Sequence, residues 1–200
     1  MDLPLSIVQN HLFLAERDGL ALVDTGSQID LRRPSPILDV VREHTGVDLA
    51  RLVGFDSLRE RSLLLDWTAG VARWGATLEG GREVPVDLKW KIPLIRVDLD
   101  GGPRTAVLDS GAALSYGPRV AIGHDGEVED FHPTIGGFRT RTRRVSVGVA
   151  GAAFDLVVGE LPQSLADPVG RISDGWIIGS DLFKDRRVLV DYPRRRVVLG

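Results

Sequence analysis

Residues 52–75, LVGFDSLRERSLLLDWTAGVARWG, align without a gap on residues 177–200, IIGSDLFKDRRVLVDYPRRRVVLG, at a constant offset of 125. Gly54 falls on Gly179, Asp56 on Asp181, Leu63–Leu65 on Val188–Val190, Asp66 on Asp191 and Gly75 on Gly200. A chain that repeats a unit of this size must fold as two similar halves, because each copy asks for the same neighbours. Upstream of each copy stands a second matched pair, ALVDTGS (21–27) and AVLDSGA (106–112), at an offset of 85. The change of offset places about forty extra residues in the second half, between its two motifs. The expected organisation is therefore two lobes, 1–80 and 88–200. The Gly-rich, polar stretch 81–87 joins them as a linker.

Glycines and prolines punctuate short runs of Val, Leu and Ile, the pattern of strands separated by tight turns. The stretches 11–26, 94–111 and 144–161 each read as strand, turn, strand, the last turning near Gly151. Helices are expected at 36–44, 56–60 and 181–185. The first has Ser35 to cap it, Pro36 at its first position and Gly46 to end it. The fold class is mainly β: two lobes related by a pseudo-twofold axis, with a few short helices.

Each D-[ST]-G triplet follows three apolar residues. A chain that drives Leu22 and Val23 toward a core and then places Asp24 at their end must give that carboxylate partners or a task. Asp24-Thr25-Gly26-Ser27, Asp109-Ser110-Gly111-Ala112, Leu52-Val53-Gly54 and Ile177-Ile178-Gly179 together resemble the pepsin- and retropepsin-like aspartic proteases, closest to bacterial retropepsin-like chains that carry both lobes. The resemblance covers most of the sequence. It implies an acid-protease fold in which Asp24 and Asp109 meet at the lobe interface and hydrolyse a peptide bond through one water. It implies that Thr25 and Ser110 cross the interface, that Gly26 and Gly111 admit close backbone approach, and that Leu52–Gly54 and Ile177–Gly179 support the two loops from beneath. Two carboxylates that close cannot both ionise, so they share a proton. Ser27 offers Asp24 a hydroxyl where Ala112 offers Asp109 none, which assigns the ionised form to Asp24.

The chain departs from the family in its cover. Only thirty residues separate Asp24 from Gly54, and a helix uses many of them, so the first lobe has no room for a flap. The longer second lobe does, and DFHPTIGGFRTRT (130–142) supplies a hairpin with Ile135, Gly136, Gly137 and Phe138 at its substrate-binding tip. The neighbouring HDGEVEDFH (124–132) fits no metal-binding spacing and reads as a solvated loop beside that flap.

Other chemistries are narrowed by composition. There is no cysteine, which removes disulfides and thiolate chemistry. The net charge of −3 gives no basic field for nucleic acid or an anionic membrane. No apolar run spans a bilayer, and MDLPLSIVQN lacks the flanks of a signal peptide, so a cytoplasmic location is expected. No metal or cofactor is implied. The partner is a peptide or protein substrate, and a monomer suffices because both aspartates lie in one chain. The alternative is a catalytically silent module of the same fold that binds peptide or protein.

Overall fold

The computed structural model describes residues 2–99, 101–119, 123 and 125–200. It is mainly β, with two sheets and few short helices. The first half runs β1 (Leu3–Val8), β2 (His11–Glu16), β3 (Gly19–Val23), β4 (Leu31–Arg32), α1 (Pro36–Thr45), β5 (Leu49–Val53), α2 (Phe55–Leu58), β6 (Leu63–Asp66) and β7 (Val71–Trp74). The second runs β8 (Arg82–Pro85), β9 (Asp87–Lys89), β10 (Ile92–Leu99), β11 (Gly102–Leu108), β12 (Ser115–Gly117), β13 (Gly126–His132), β14 (Gly136–Val149), β15 (Ala152–Glu160), α3 (Gln163–Gly170) and β16 (Trp176–Ile178). A 3-10 turn (Ser180–Phe183), β17 (Arg187–Asp191), a second 3-10 turn (Tyr192–Arg194) and β18 (Arg196–Leu199) complete it.

The first sheet holds ten strands in the order β4-β5-β3-β2-β1-β7-β6-β17-β18-β8, so strands from both halves share it. Its middle carries a local twofold. Strands β6 and β17 run antiparallel with Leu64 opposite Leu189, its own repeat equivalent, and Leu63 and Leu65 opposite Val190 and Val188. The second sheet, β13-β14-β15-β12-β16-β11-β10-β9, folds back on itself where Asp98 of β10 meets Gly148 of β14. A Cβ at Gly148 would lie 2.9 Å from that of Asp98, so the crossing requires glycine. Leu12, Val23, Val53, Leu63, Ile95, Leu108, Ile178 and Val188 belong to one buried cluster that joins the two sheets.

The repeat continues further upstream than its sequence signal. Strand β1 pairs with β7 at Leu3–Ala72 and Pro4–Val71, and β8 pairs with β18 at Val84–Val197 and Pro85–Arg196. Leu5 N–H reaches Gly70 O, and Val86 N–H reaches Arg195 O, each at 2.8 Å. The stretch 81–87, expected as a linker, thus holds a strand of the shared sheet and begins the second copy of the pattern.

The three expected hairpins form as β2–β3, β10–β11 and β14–β15, the last turning through Ala150 and Gly151 at positive φ. Helix α1 starts after Ser35 in extended backbone, although the Ser35 hydroxyl makes no capping bond, and Gly46 at φ +72° closes it onto Arg42 O. The other two helices are shorter than expected. The segment expected at 56–60 is the single turn Phe55–Leu58, and that at 181–185 is the 3-10 turn, which Lys184 leaves in extended backbone at ψ 134°. Among the described residues no helix is long and apolar enough to cross a membrane.

Candidate active site

Strand β3 lies parallel to β5, with Leu22 opposite Leu52 and Val23 opposite Val53, and Asp24 N–H continues the ladder onto Val53 O at 3.0 Å. Strand β11 repeats this beside β16: Val107 faces Ile177, Leu108 faces Ile178, and Asp109 N–H reaches Ile178 O at 2.8 Å. The buried apolar runs therefore carry each aspartate to the end of a core strand, and the apolar-apolar-Gly segments lie alongside. Gly54 and Gly179 admit no side chain, because a Cβ on either would collide with the backbone of Ile29 or Leu114.

The two loops are tied by a reciprocal set of bonds. Thr25 Oγ1 donates to Leu108 O at 2.9 Å and accepts Ser110 N–H at 2.8 Å. Ser110 Oγ donates to Val23 O at 2.8 Å and accepts Thr25 N–H at 3.1 Å. Both side chains are fully buried. From beneath, Tyr192 Oη donates to Thr25 O at 3.3 Å.

This crossing sets the two carboxyls against each other. A Cβ on Gly26 would lie 2.5 Å from the Asp109 carboxyl carbon, and one on Gly111 would lie 2.5 Å from that of Asp24. Asp24 and Asp109 are half-buried and in hydrogen-bonding contact. Burial, then the charge of Asp109, then the hydrogen bond between the two raise the Asp24 pKa well above the ordinary carboxylate range, against the pull of the Ser27 and Gly26 N–H groups. The Ser27 hydroxyl takes no part, since Oγ donates to Ile29 O at 2.8 Å. Of the groups on Ser27 it is the backbone N–H that reaches Asp24 Oδ1, at 2.9 Å, and the Gly111 N–H does the same for Asp109 at 2.9 Å. The hydroxyl expected to favour the ionised form of Asp24 is thus engaged elsewhere, and each aspartate receives a backbone N–H from its own loop.

One supporting pair escaped sequence reasoning. Asp30 and Ser115 stand six residues past the two aspartates, at the same offset of 85. Asp30 Oδ1 accepts Gly54 N–H at 2.8 Å, and Ser115 Oγ accepts Gly179 N–H at 3.0 Å. Each then bonds a partner of the opposite kind: Asp30 Oδ2 accepts Ser57 Oγ–H at 2.5 Å, while Ser115 Oγ donates to Asp181 Oδ1 at 2.7 Å. An acid and a hydroxyl hold the glycine in both halves, with their places exchanged.

The aspartates open into a cleft of about 650 Å3. Helix α1 forms one wall through Ile37 and Val41, and α3 another through Leu165 and Val169. Hairpin β13–β14 covers it, and the first half offers α1 where a second hairpin would stand. Residues 126–132, expected as a solvated loop, are strand β13 itself; His124 lies outside the described residues. The hairpin turns at Pro133–Ile135, and Gly136–Gly137 open the returning strand. Phe131, His132, Pro133, Thr134 and Phe138 line the cleft. Of the expected tip residues only Phe138 does so: Ile135 is exposed, Gly136 opens the returning strand, and Gly137 lines an adjoining cavity of about 650 Å3. Two contacts seat the hairpin. Tyr116 Oη donates to the Asp130 carboxylate, and Phe131 stacks on His44 of α1 at 4.6 Å and 7°. Leu31 occupies the position equivalent to Tyr116, opposite Leu52 as Tyr116 is opposite Ile177.

Among the described residues no group of three or more His, Asp and Glu side chains converges to hold a metal ion. What the arrangement offers is two adjoining carboxyls at the wall of a cleft. Comparison with protein-family models and with curated proteins finds no match to the chain.

Proposed function

We propose that this chain is an aspartic endopeptidase of the pepsin and retropepsin type, with the acid-protease fold, and that Asp24 and Asp109 are its catalytic pair. The observation that carries the reading is the mutual placement of the carboxyls, each against the glycine of the opposite loop and in hydrogen-bonding contact with the other. A pair of this kind keeps one proton at pH values where isolated carboxyls are ionised, because a second negative charge at that distance is too costly. The ionised member of the pair takes a proton from a water held between the two. The protonated member donates to the scissile carbonyl. Water adds to the carbonyl carbon and a tetrahedral diol forms. The carboxyl that took the water's proton passes it to the departing amine, the other recovers a proton from a diol hydroxyl as the C–N bond breaks, and the pair returns to its starting state. The hairpin covers the cleft while this happens, limiting access of bulk water.

Activity should be bell-shaped in pH, because the pair must hold one proton and neither two nor none. The test is cleavage of an unfolded protein substrate from acid to neutral pH, with and without pepstatin, beside Asp24→Asn and Asp109→Asn. Cleavage abolished by both substitutions supports the reading. Cleavage that survives either one refutes it, and binding without cleavage in all three proteins points to the silent module instead.

A further inference from the structure

The turns β1–β2 and β9–β10 form one more matched pair. Gln9 and Asn10 have φ 50° and 65°, and Trp90 and Lys91 have 53° and 66°. Val8 faces His11 across the first turn as Lys89 faces Ile92 across the second. Each turn rests on the opposite half of the chain: Asn10 Nδ2 donates to Ala113 O at 3.3 Å, and Gln28 Nε2 donates to Trp90 O at 2.9 Å. Ala113 and Gln28 both stand four residues past an aspartate, at the offset of 85 that relates the two loops. The local twofold therefore puts Gln9 and Trp90 in equivalent posts. Gln9 lines the adjoining cavity beside the hairpin, and Trp90 lines the cleft that holds the aspartates.

The fold gives no reason for an indole at this post. A bulky side chain at φ 53° is a conformational outlier. Trp90 is 65% exposed, against 47% for Ile29 and 37% for Ile135, so it fills no core. The bond from Gln28 uses the Trp90 carbonyl and would serve any residue there. Yet the ring is held in place. Lys89 Nζ lies 5.3 Å from its centroid and donates to Arg171 O at 3.0 Å, at the end of α3. Ile92, Val169 and Ile172 line the same cleft. Helix α3 buries none of its residues, whereas α1 buries Leu38, Val41 and Thr45, so the α3 wall keeps apolar surface open.

We propose that Trp90 is a specificity-determining residue: its indole receives a large apolar or aromatic side chain of the bound peptide, on one side of the cut only. This rests on the peptidase reading above. The exposed ring and the open α3 wall together take such a side chain out of water. On the other side of the cut Gln9 stands in the equivalent post and offers a carboxamide, so the same demand is absent there. A cationic side chain, which an indole face also attracts, meets the Lys89 ammonium already beside the ring and the Arg171 that lines the same wall. An acidic one must shed its water against Ile92, Val169 and Ile172.

The test is the cleavage profile of a mixed peptide library by the full chain, by Trp90→Gln, which copies Gln9, and by Trp90→Phe, which keeps an aromatic face. The wild type should enrich Phe, Tyr, Trp, Leu or Met at a position on one side of the cut, and Trp90→Gln should lose that enrichment. On a peptide with Phe at that position its kcat/KM should fall about 3- to 10-fold, through KM, while the Ser counterpart is cut as before. Trp90→Phe should keep most of the preference. Melting temperatures of both variants should match the wild type, as expected of an exposed side chain. A profile unchanged in Trp90→Gln, a loss shared equally by the Ser peptide, or enrichment of charged residues at the position that Trp90→Gln alters overturns the proposal. If the wild type cleaves nothing, the peptidase reading fails, and fluorescence anisotropy of two labelled library pools, one with Phe and one with Ser fixed at the central position, decides the Trp90 inference alone. Tighter binding of the Phe pool that Trp90→Gln abolishes sustains it, and equal binding of the two pools ends it.

Discussion

Replacing Thr25 by Val removes one hydroxyl and almost no volume. Thr25 is fully buried, so water cannot take the place of the lost bonds. The substitution withdraws an acceptor from the Ser110 N–H at 2.8 Å and a donor from the Leu108 carbonyl at 2.9 Å. Each group left unpaired costs about 1–3 kcal/mol, so Thr25→Val should lose about 2–6 kcal/mol. That is a large share of the roughly 5–15 kcal/mol by which a typical domain is stable. Ser110→Ala strips the same two kinds of group from the other side, Val23 O and Thr25 N–H, and should cost a similar amount. The four bonds span one interface, so the double variant should lose less than the two single losses added, with a coupling of about 0.5–3 kcal/mol. Urea unfolding of the four proteins at one pH closes the cycle. Full additivity, or a Thr25→Val loss below about 0.5 kcal/mol, would show that the two halves are held by their apolar contacts alone and that the crossed hydroxyls are incidental.

Two further outcomes follow from groups around the site. Burial holds Asp181 up to about 6 while one of its carboxyl oxygens finds no partner, so the folded state binds its proton more tightly than the unfolded chain does, and stability should fall as pH rises from about 4 through 6. Asp181→Asn should remove that slope and add up to about 3 kcal/mol above pH 7, at about 1.4 kcal/mol per pH unit; urea midpoints across pH 4–8 check it, and a flat wild-type curve refutes it. Tyr116→Phe should release the hairpin near its tip, at Asp130, speeding amide hydrogen exchange over residues 126–138 about tenfold and raising KM, with stability within about 1 kcal/mol of the wild type. Exchange as slow as in the wild type would show that the Phe131–His44 stack seats the hairpin without the tyrosine.

The strands and the two matched aspartate motifs are legible in the sequence because each is local or repeats at a fixed offset, whereas the crossing of the hydroxyls is implied only by the resemblance. Val23-Asp24 and Leu108-Asp109 announce the ends of buried strands by composition alone. What stays hidden depends on partners distant in the chain or on a substitution that disguises an equivalence. Strand β8 is short and lies at a sheet edge, and its Gly-rich entry reads as a connection until Val84 is seen opposite Val197. Asp30 and Ser115 share a role but not a residue type, so the match does not stand out. Gly136 is suited to a turn by its freedom at positive φ, yet here it begins the return strand and leaves the bend to Pro133–Ile135. Ser27 can reach either Asp24 or Ile29 O from the same backbone, and only the folded loop shows which it takes.

Where the two halves agree and where they differ follows one physical rule. Residues that face their own counterpart are matched: Leu64 with Leu189, Gly26 and Gly111 against the opposite aspartates, Thr25 and Ser110 exchanging the same bonds. Residues that face the cleft are free to diverge, and they do, as Leu31 against Tyr116 and Gln9 against Trp90. In a dimer of identical chains every substitution appears on both sides of the axis, so such differences are impossible. A twofold-symmetric cleft would accept a peptide equally well in either direction, although the peptide itself has a direction. Under the peptidase reading, the differing pairs break that tie. A tenfold preference for one orientation takes only about 1.4 kcal/mol, about the net worth of a single hydrogen bond made on one side and missing on the other. The shared chain can hold the matched residues fixed while its two walls come to recognise opposite ends of one substrate.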